Sequence, residues 1–149
     1  MNVAICTVLS GRLAPRTTRD LEAALKSRYR ELFAESLTVV WLEVPPDQAF
    51  TNGKPSSMSW LLIPVADGLD QAIREKALTT MAADWARIAN CDPDDIMIAM
   101  PDASVQAQYL KSNRERIPLG RLPEFLLRTG VRVATGFATR RTLSTTANF

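Results

Sequence analysis

The sequence contains no histidine. The chain therefore lacks both the usual general base near neutral pH and the commonest transition-metal ligand. Its two cysteines lie apart, Cys6 in an apolar stretch and Cys91 in a polar turn. They make no disulfide framework and fit a reducing cytoplasm, the expected location. A zinc site would need carboxylates to complete the pair, so neither a metal nor a cofactor is expected. A Gly-rich phosphate loop is also missing. No apolar run approaches the roughly 20 residues of a membrane span. The opening Met1-Asn2-Val3-Ala4-Ile5-Cys6 has no basic region ahead of its apolar residues, so a secretory signal is not expected.

What is present suits one soluble domain: 149 residues, 46% hydrophobic and 23% charged. The net charge of +2 hides an asymmetry. Residues 111–149 hold eight basic and two acidic side chains, whereas the first 110 hold ten basic and fourteen acidic. A basic tail of this kind often contacts something acidic, which in an oligomer can be a neighbouring subunit. Few aromatic residues interleave with these arginines, and neither nucleic acid nor membrane is expected as a partner.

The chain reads as two similar halves, about residues 2–45 and 58–101. Val3 to Leu9 is an apolar, β-branched run ended by Ser10-Gly11, a strand and turn. From Thr17 or Thr18 to Phe33 the spacing is helical, with Leu21, Leu25, Leu32 and Phe33 on one face. Thr38 to Val44 is a second strand, stopped by Pro45-Pro46. Asn52-Gly53 marks a turn or short hairpin. The order then repeats. Trp60 to Val65 is a continuous apolar strand, and Asp70 to Ile88 a helix with Ile73, Ala77, Met81, Trp85 and Ile88 in one stripe. Ile96 to Met100 is a fourth strand.

Two βαβ units side by side give a four-stranded α/β (α+β) sheet with both helices on one face. Strands as apolar as Val39-Val40-Trp41-Leu42 and Trp60-Leu61-Leu62-Ile63 cannot leave the other face to water. Oligomerisation would cover it, and so would a C-terminal segment folded back. Trp41, Trp60 and Trp85 are assigned to core or interface. Beyond Asp102 the pattern weakens. Ala103 to Asn113 reads as a short helix, Leu122 to Leu127 as a short helical or extended piece, and Val131-Arg132-Val133 as a short edge strand. Residues 138–149 are expected to be mobile unless a partner holds them.

This layout resembles the tautomerase superfamily, and within it the cis-3-chloroacrylic acid dehalogenase group. The half-length 4-oxalocrotonate tautomerases are more distant. The resemblance is carried by Val3-Ala4-Ile5-Cys6-Thr7-Val8, Arg12-Leu13-Ala14-Pro15, Arg28-Tyr29-Arg30, the second helix near Lys76, Ile96-Met97-Ile98 and Gln108-Tyr109, over roughly residues 2–120. It implies a β-α-β fold and a homotrimer, with residues 103–149 at the subunit interface. It also implies chemistry on an N-terminal proline, whose secondary amine works as general base or acid.

At the matching position this sequence has Asn2, whose bulk is expected to leave Met1 in place. The family histidine falls on Tyr29, the tyrosine on Ala99 and the glutamate on Gln108. The two loop arginines fall near Gly68 and Gln71, and a further arginine on Lys111. A neutral amide cannot take a proton from water as a glutamate can, and lysine loses the bidentate guanidinium fork.

No residue is assigned as catalytic with assurance; the family-matching positions are Asn2, Tyr29 and Gln108. Met1, Asn2, Tyr29, Gln108 and Lys111 are the candidate ligand-binding residues, and a small anionic molecule the candidate ligand. Each has a plainer alternative. Asn2 can simply start a strand, Tyr29 can be a buried tyrosine with a satisfied hydroxyl, and Gln108 and Lys111 can be solvated surface. Arg74 and Lys76 read as a solvated face, and Arg12 as a structural loop residue. The leading expectation is a superfamily trimer without the usual tautomerase or dehalogenase activity. One alternative is weak isomerase or lyase chemistry on the Met1 primary amine, since an unperturbed α-amine titrates at about 7.7–8.0. Another is a non-catalytic interaction protein with a basic tail.

Overall fold

The computed structural model describes residues 2–116, 118, 120 and 122–146. The first half is strand β1 (Asn2–Leu9), helix α1 (Pro15–Phe33) and strand β2 (Leu37–Val44), with β1 and β2 parallel from Asn2↔Leu37 to Leu9↔Val44. Pro15 stands in the first helical turn, where its fixed φ suits the helix and its missing N–H is not needed. This puts the helix start two or three residues ahead of the threonines. A short β3 (Phe50–Thr51) and β4 (Lys54–Pro55) form the expected hairpin; both turn residues, Asn52 and Gly53, are left-handed, with φ of 52° and 74°.

The second half is β5 (Ser59–Leu62), α2 (Gln71–Ala89) and β6 (Ile96–Ala99), with β5 and β6 parallel. The Asp70 carboxylate caps α2 by accepting from Ala72 N (2.9 Å) and Ile73 N (3.3 Å). β5 is shorter than the apolar run to Val65 suggests, because Pro64 has no N–H to give to a ladder. Only single bonds continue it, from Ile63 N to the Ala99 carbonyl (2.9 Å) and from Val65 N to that of Pro101 (3.0 Å).

The sheet has five strands, in the order β6-β5-β1-β2-β7, where four were expected. The two parallel pairs meet antiparallel at β1 and β5. The fifth strand, β7 (Leu143–Thr146), runs parallel to β2 along its outer edge. Helices α3 (Ala103–Glu115) and α4 (Leu122–Arg140) precede it. The edge strand expected at Val131–Val133 is therefore helix. Thr135 and Thr139 return their hydroxyls to carbonyls one turn back (2.9 and 2.8 Å), which lets β-branched residues sit in a helix. The segment expected to be mobile is instead helix to Arg140 and strand from Leu143, held by the chain's own β2; residues 147–149 lie outside the described set.

Strand pairing sorts the side chains into two faces. Cys6, Trp41 and Leu61 stand in one cross-strand row beneath α1 and α2 and are buried. Trp41 stacks on Trp85 of α2 at 5.7 Å, and Leu21, Leu25, Tyr29, Ala77 and Met81 close the core. Ile73 does not join that stripe. It lies in the first turn of α2, ahead of the packed residues, and is 44% exposed. The opposite face carries the rows Leu143-Val40-Ile5-Leu62-Ala99 and Thr145-Leu42-Thr7-Trp60-Met97. Trp60 and Met97 are exposed on it, and its middle positions are half-buried. No described helix is long and apolar enough to cross a membrane.

Candidate functional site

The uncovered face is not uniform. One corner of it is shaped by α3, and the loops that follow β5 and β6 fix where that helix starts. Ala103 N donates to the Val65 carbonyl at 2.8 Å, and Asp67 accepts from Ser104 N at 3.0 Å. That backbone bond is the main reason the Asp67 carboxyl is held below its ordinary range. Arg74 donates to Asp102 at 2.7 Å and also to the Met100 carbonyl, so it is a tie between α2 and the start of α3 and not the solvated side chain expected. Arg12 likewise makes a structural contact, with Asp95 at 3.4 Å.

With its start fixed, α3 turns Gln106 inward, and the residue is only 2% exposed. Its Nε2 donates to the Val3 carbonyl at 2.9 Å. Val3 lies beyond the last β1–β5 rung, Ile5↔Leu62, where β5 has already left the sheet. Gln106 thus supplies a partner where the ladder stops. The oxygen of that carboxamide, Oε1, is buried and has no hydrogen-bond partner. Around Gln106 opens a groove of about 240 Å³, walled by Trp60, Leu62, Pro101, Val105 and Tyr109. None of these six side chains is charged.

A second cleft of about 270 Å³ separates α4 from the β2–β7 edge and is lined in part by Glu43, Arg132, Thr135, Thr139 and Thr145. It exists because Gly136 brings helix and strand together: a Cβ there would meet the Ser144 side chain and stand 2.8 Å from its carbonyl oxygen. Among the described residues, no three histidine, cysteine, aspartate or glutamate side chains gather in a way that could hold a metal ion.

No protein-family model matches the chain, and no curated protein matches it in sequence. Solved structures do match. Native Ps01740 is 21% identical with a TM-score of 0.65, the match covering 68% of this chain and 96% of that one. N1, a member of the cis-3-chloroacrylic acid dehalogenase family, is 10% identical with a TM-score of 0.64, covering 67% of this chain and 73% of its own. Native fused 4-OT is 13% identical with a TM-score of 0.61, covering 67% and 85%. The chain has the tautomerase fold.

Within that fold, the residues singled out in the sequence do not converge. Asn2 Nδ2 donates to the Glu35 carboxylate, across the loop that leads into β2, as a strand-start residue would. Tyr29 is 1% exposed under the helical face; its hydroxyl donates to the Pro64 carbonyl at 2.8 Å, and its ring meets Phe33 edge-on at 4.8 Å. Burial first, and then the Glu35 charge, push its ionisation up to about 12. Gln108 and Lys111 are exposed on α3, with Lys111 4.0 Å from Glu115. Met1 lies outside the described residues. Asn2 and Tyr29 thus make contacts within the chain, and Gln108 and Lys111 lie on an exposed helix face. Gln106, two residues before Gln108, is the side chain that α3 turns inward. In the sequence it is one polar residue among several on a polar helix, and only its spacing of three from Tyr109 hinted at a shared face.

Proposed function

We propose that this protein is a tautomerase-fold homotrimer that binds a small molecule in the Gln106 groove without turning it over. The observation that carries this reading is the groove's polar content. Its inward polar group is a carboxamide, which can hold a ligand by hydrogen bonds but cannot take up or release a proton near neutral pH. Asn2, its side-chain amide bonded to Glu35, has no secondary amine like that of the family proline, and Tyr29 stays a neutral phenol tied to backbone. Losing a base and a clamp together removes groups that each contribute orders of magnitude in rate. The small anionic ligand suggested by the resemblance finds no cation among the six lining residues, so the reading favours a neutral one.

The trimer rests on the apolar side chains in the middle of the uncovered sheet face, Ile5, Val40 and Leu42, which a single chain leaves partly in water, while the Gln106 groove lies to the β5–β6 side of them. Four structures of fused 4-OT proteins with this fold are trimers, symmetric or asymmetric. Leu126, Leu127, Val131 and Phe137 of α4 are also exposed, and this supports placing the C-terminal segment at the subunit interface.

The test is incubation with a 2-keto acid and borohydride, followed by intact mass. No adduct is expected. A reduced Schiff base on the N-terminal residue would overturn the reading in favour of amine catalysis.

A further inference from the structure

We propose that the Gln106 groove is specific for a neutral aromatic molecule carrying one hydrogen-bond donor, an indole N–H or a phenol O–H, which it presents to Gln106 Oε1. The inference rests on the reading above that the groove binds a ligand.

The orientation of the carboxamide is settled by its neighbour. Nε2 donates to the Val3 carbonyl at 2.9 Å, and a flipped amide would set two oxygens against each other. The group left over is therefore an acceptor. It is buried, on a residue 2% exposed, and without a partner. Buried polar atoms normally find partners, and an orphan of this kind that lines a groove marks where a ligand's donor belongs.

The walls define the rest of the ligand. Trp60 and Tyr109 offer aromatic surface, and Leu62, Pro101 and Val105 offer aliphatic surface. At about 240 Å³ the groove sits just below the usual range for drug-sized ligands, which suits one mono- or bicyclic ring. A carboxylate is disfavoured twice. It would lose water with no cation in the lining to receive it, and it would bring a second acceptor toward Oε1. Val105 (56% exposed) and Tyr109 (53%) are the most exposed of the lining side chains, and they must move aside for a ring to reach the buried oxygen.

The experiment titrates the full-length protein, by calorimetry or by NMR, with three probes: indole, benzofuran and benzoate. Benzofuran keeps the indole shape and replaces the N–H with an acceptor oxygen. Indole is expected to bind roughly tenfold more tightly than benzofuran, the scale of one hydrogen bond, with benzoate weaker than both. In Gln106→Met the difference between indole and benzofuran should disappear. In Tyr109→Ser all three should weaken while the preference for indole stays; this second variant alters only an exposed residue and keeps the test open should Gln106→Met fail to fold. Equal affinities for indole and benzofuran, a preference for benzoate, or no binding of any probe would overturn the proposal. The failure of the underlying reading looks different: it appears as a borohydride-trapped adduct, which none of these titrations reads.

Discussion

Arg28 and Asp84 show how side chains with no part in the groove hold this fold together. Arg28 on α1 donates through Nε (3.1 Å) and Nη2 (3.0 Å) to one carboxylate oxygen of Asp84 on α2, and Arg87 reaches the other at 3.1 Å. Burial alone would raise the Asp84 carboxyl; the bonds from Arg28 and Arg87 outweigh it and leave the group below its ordinary value. A carboxyl depressed in the folded state adds stability above its unfolded value of about 3.9, and that stability is lost as pH falls through the folded value. Asp84→Asn should therefore be less stable than the parent at pH 7 and lose less on acidification from about pH 4 to pH 2. Denaturant midpoints across that range check it; parallel curves would mean the ion pair contributes nothing. At this scale the sequence was a poor guide. Tyr29 shares a helix face with Leu21 and Leu25, and spacing could not say that its hydroxyl would meet Pro64 and not a ligand. Arg74 looked solvated because its partner, Asp102, lies 28 residues away in sequence.

Among the elements, those patterned by burial were legible and those patterned by docking were not. β1, β2, α1 and α2 announce themselves through alternation or helical spacing of apolar residues, since one face of each enters the core. Where boundaries moved, a proline set them: Pro15 opens α1 early and Pro64 stops β5 short. The C-terminal pair was misread because α4 exposes Leu126, Leu127, Val131 and Phe137 while turning Thr135, Gly136 and Thr139 toward β7. An amphipathic helix laid this way round gives no core stripe, and Val131-Arg132-Val133 then looks like a strand. The contact depends on Gly136. Gly136→Ala should cost about 1–3 kcal/mol through the clash with Ser144, less any gain in helix propensity. Limited proteolysis should then cut within residues 141–146 before it cuts β1 or β2. Unchanged stability and cleavage would mean that α4 and β7 are not packed as described.

For the whole molecule, the two halves and their shared sheet were legible because a βαβ unit repeats its hydrophobic pattern, and the missing cover on one face followed from having both helices on the other. The groove itself was not legible, because it joins β5 to α3 through one inward glutamine. If copies of this chain cover each other's sheet faces, a charge in the middle of that face should separate them. Leu42→Arg should give a monomer by light scattering with the helical circular dichroism of the parent, since Leu42 points away from α1 and α2. A variant that stays trimeric would show that another surface holds the subunits. The central claim, that a tautomerase fold here lacks the means to move protons, is tested most directly by the rate of phenylenolpyruvate ketonisation with and without the purified protein between pH 6 and 9. The account predicts rates equal to buffer throughout. Acceleration that rises with pH through about 7.7–8.0, as a free α-amine loses its proton, would contradict it.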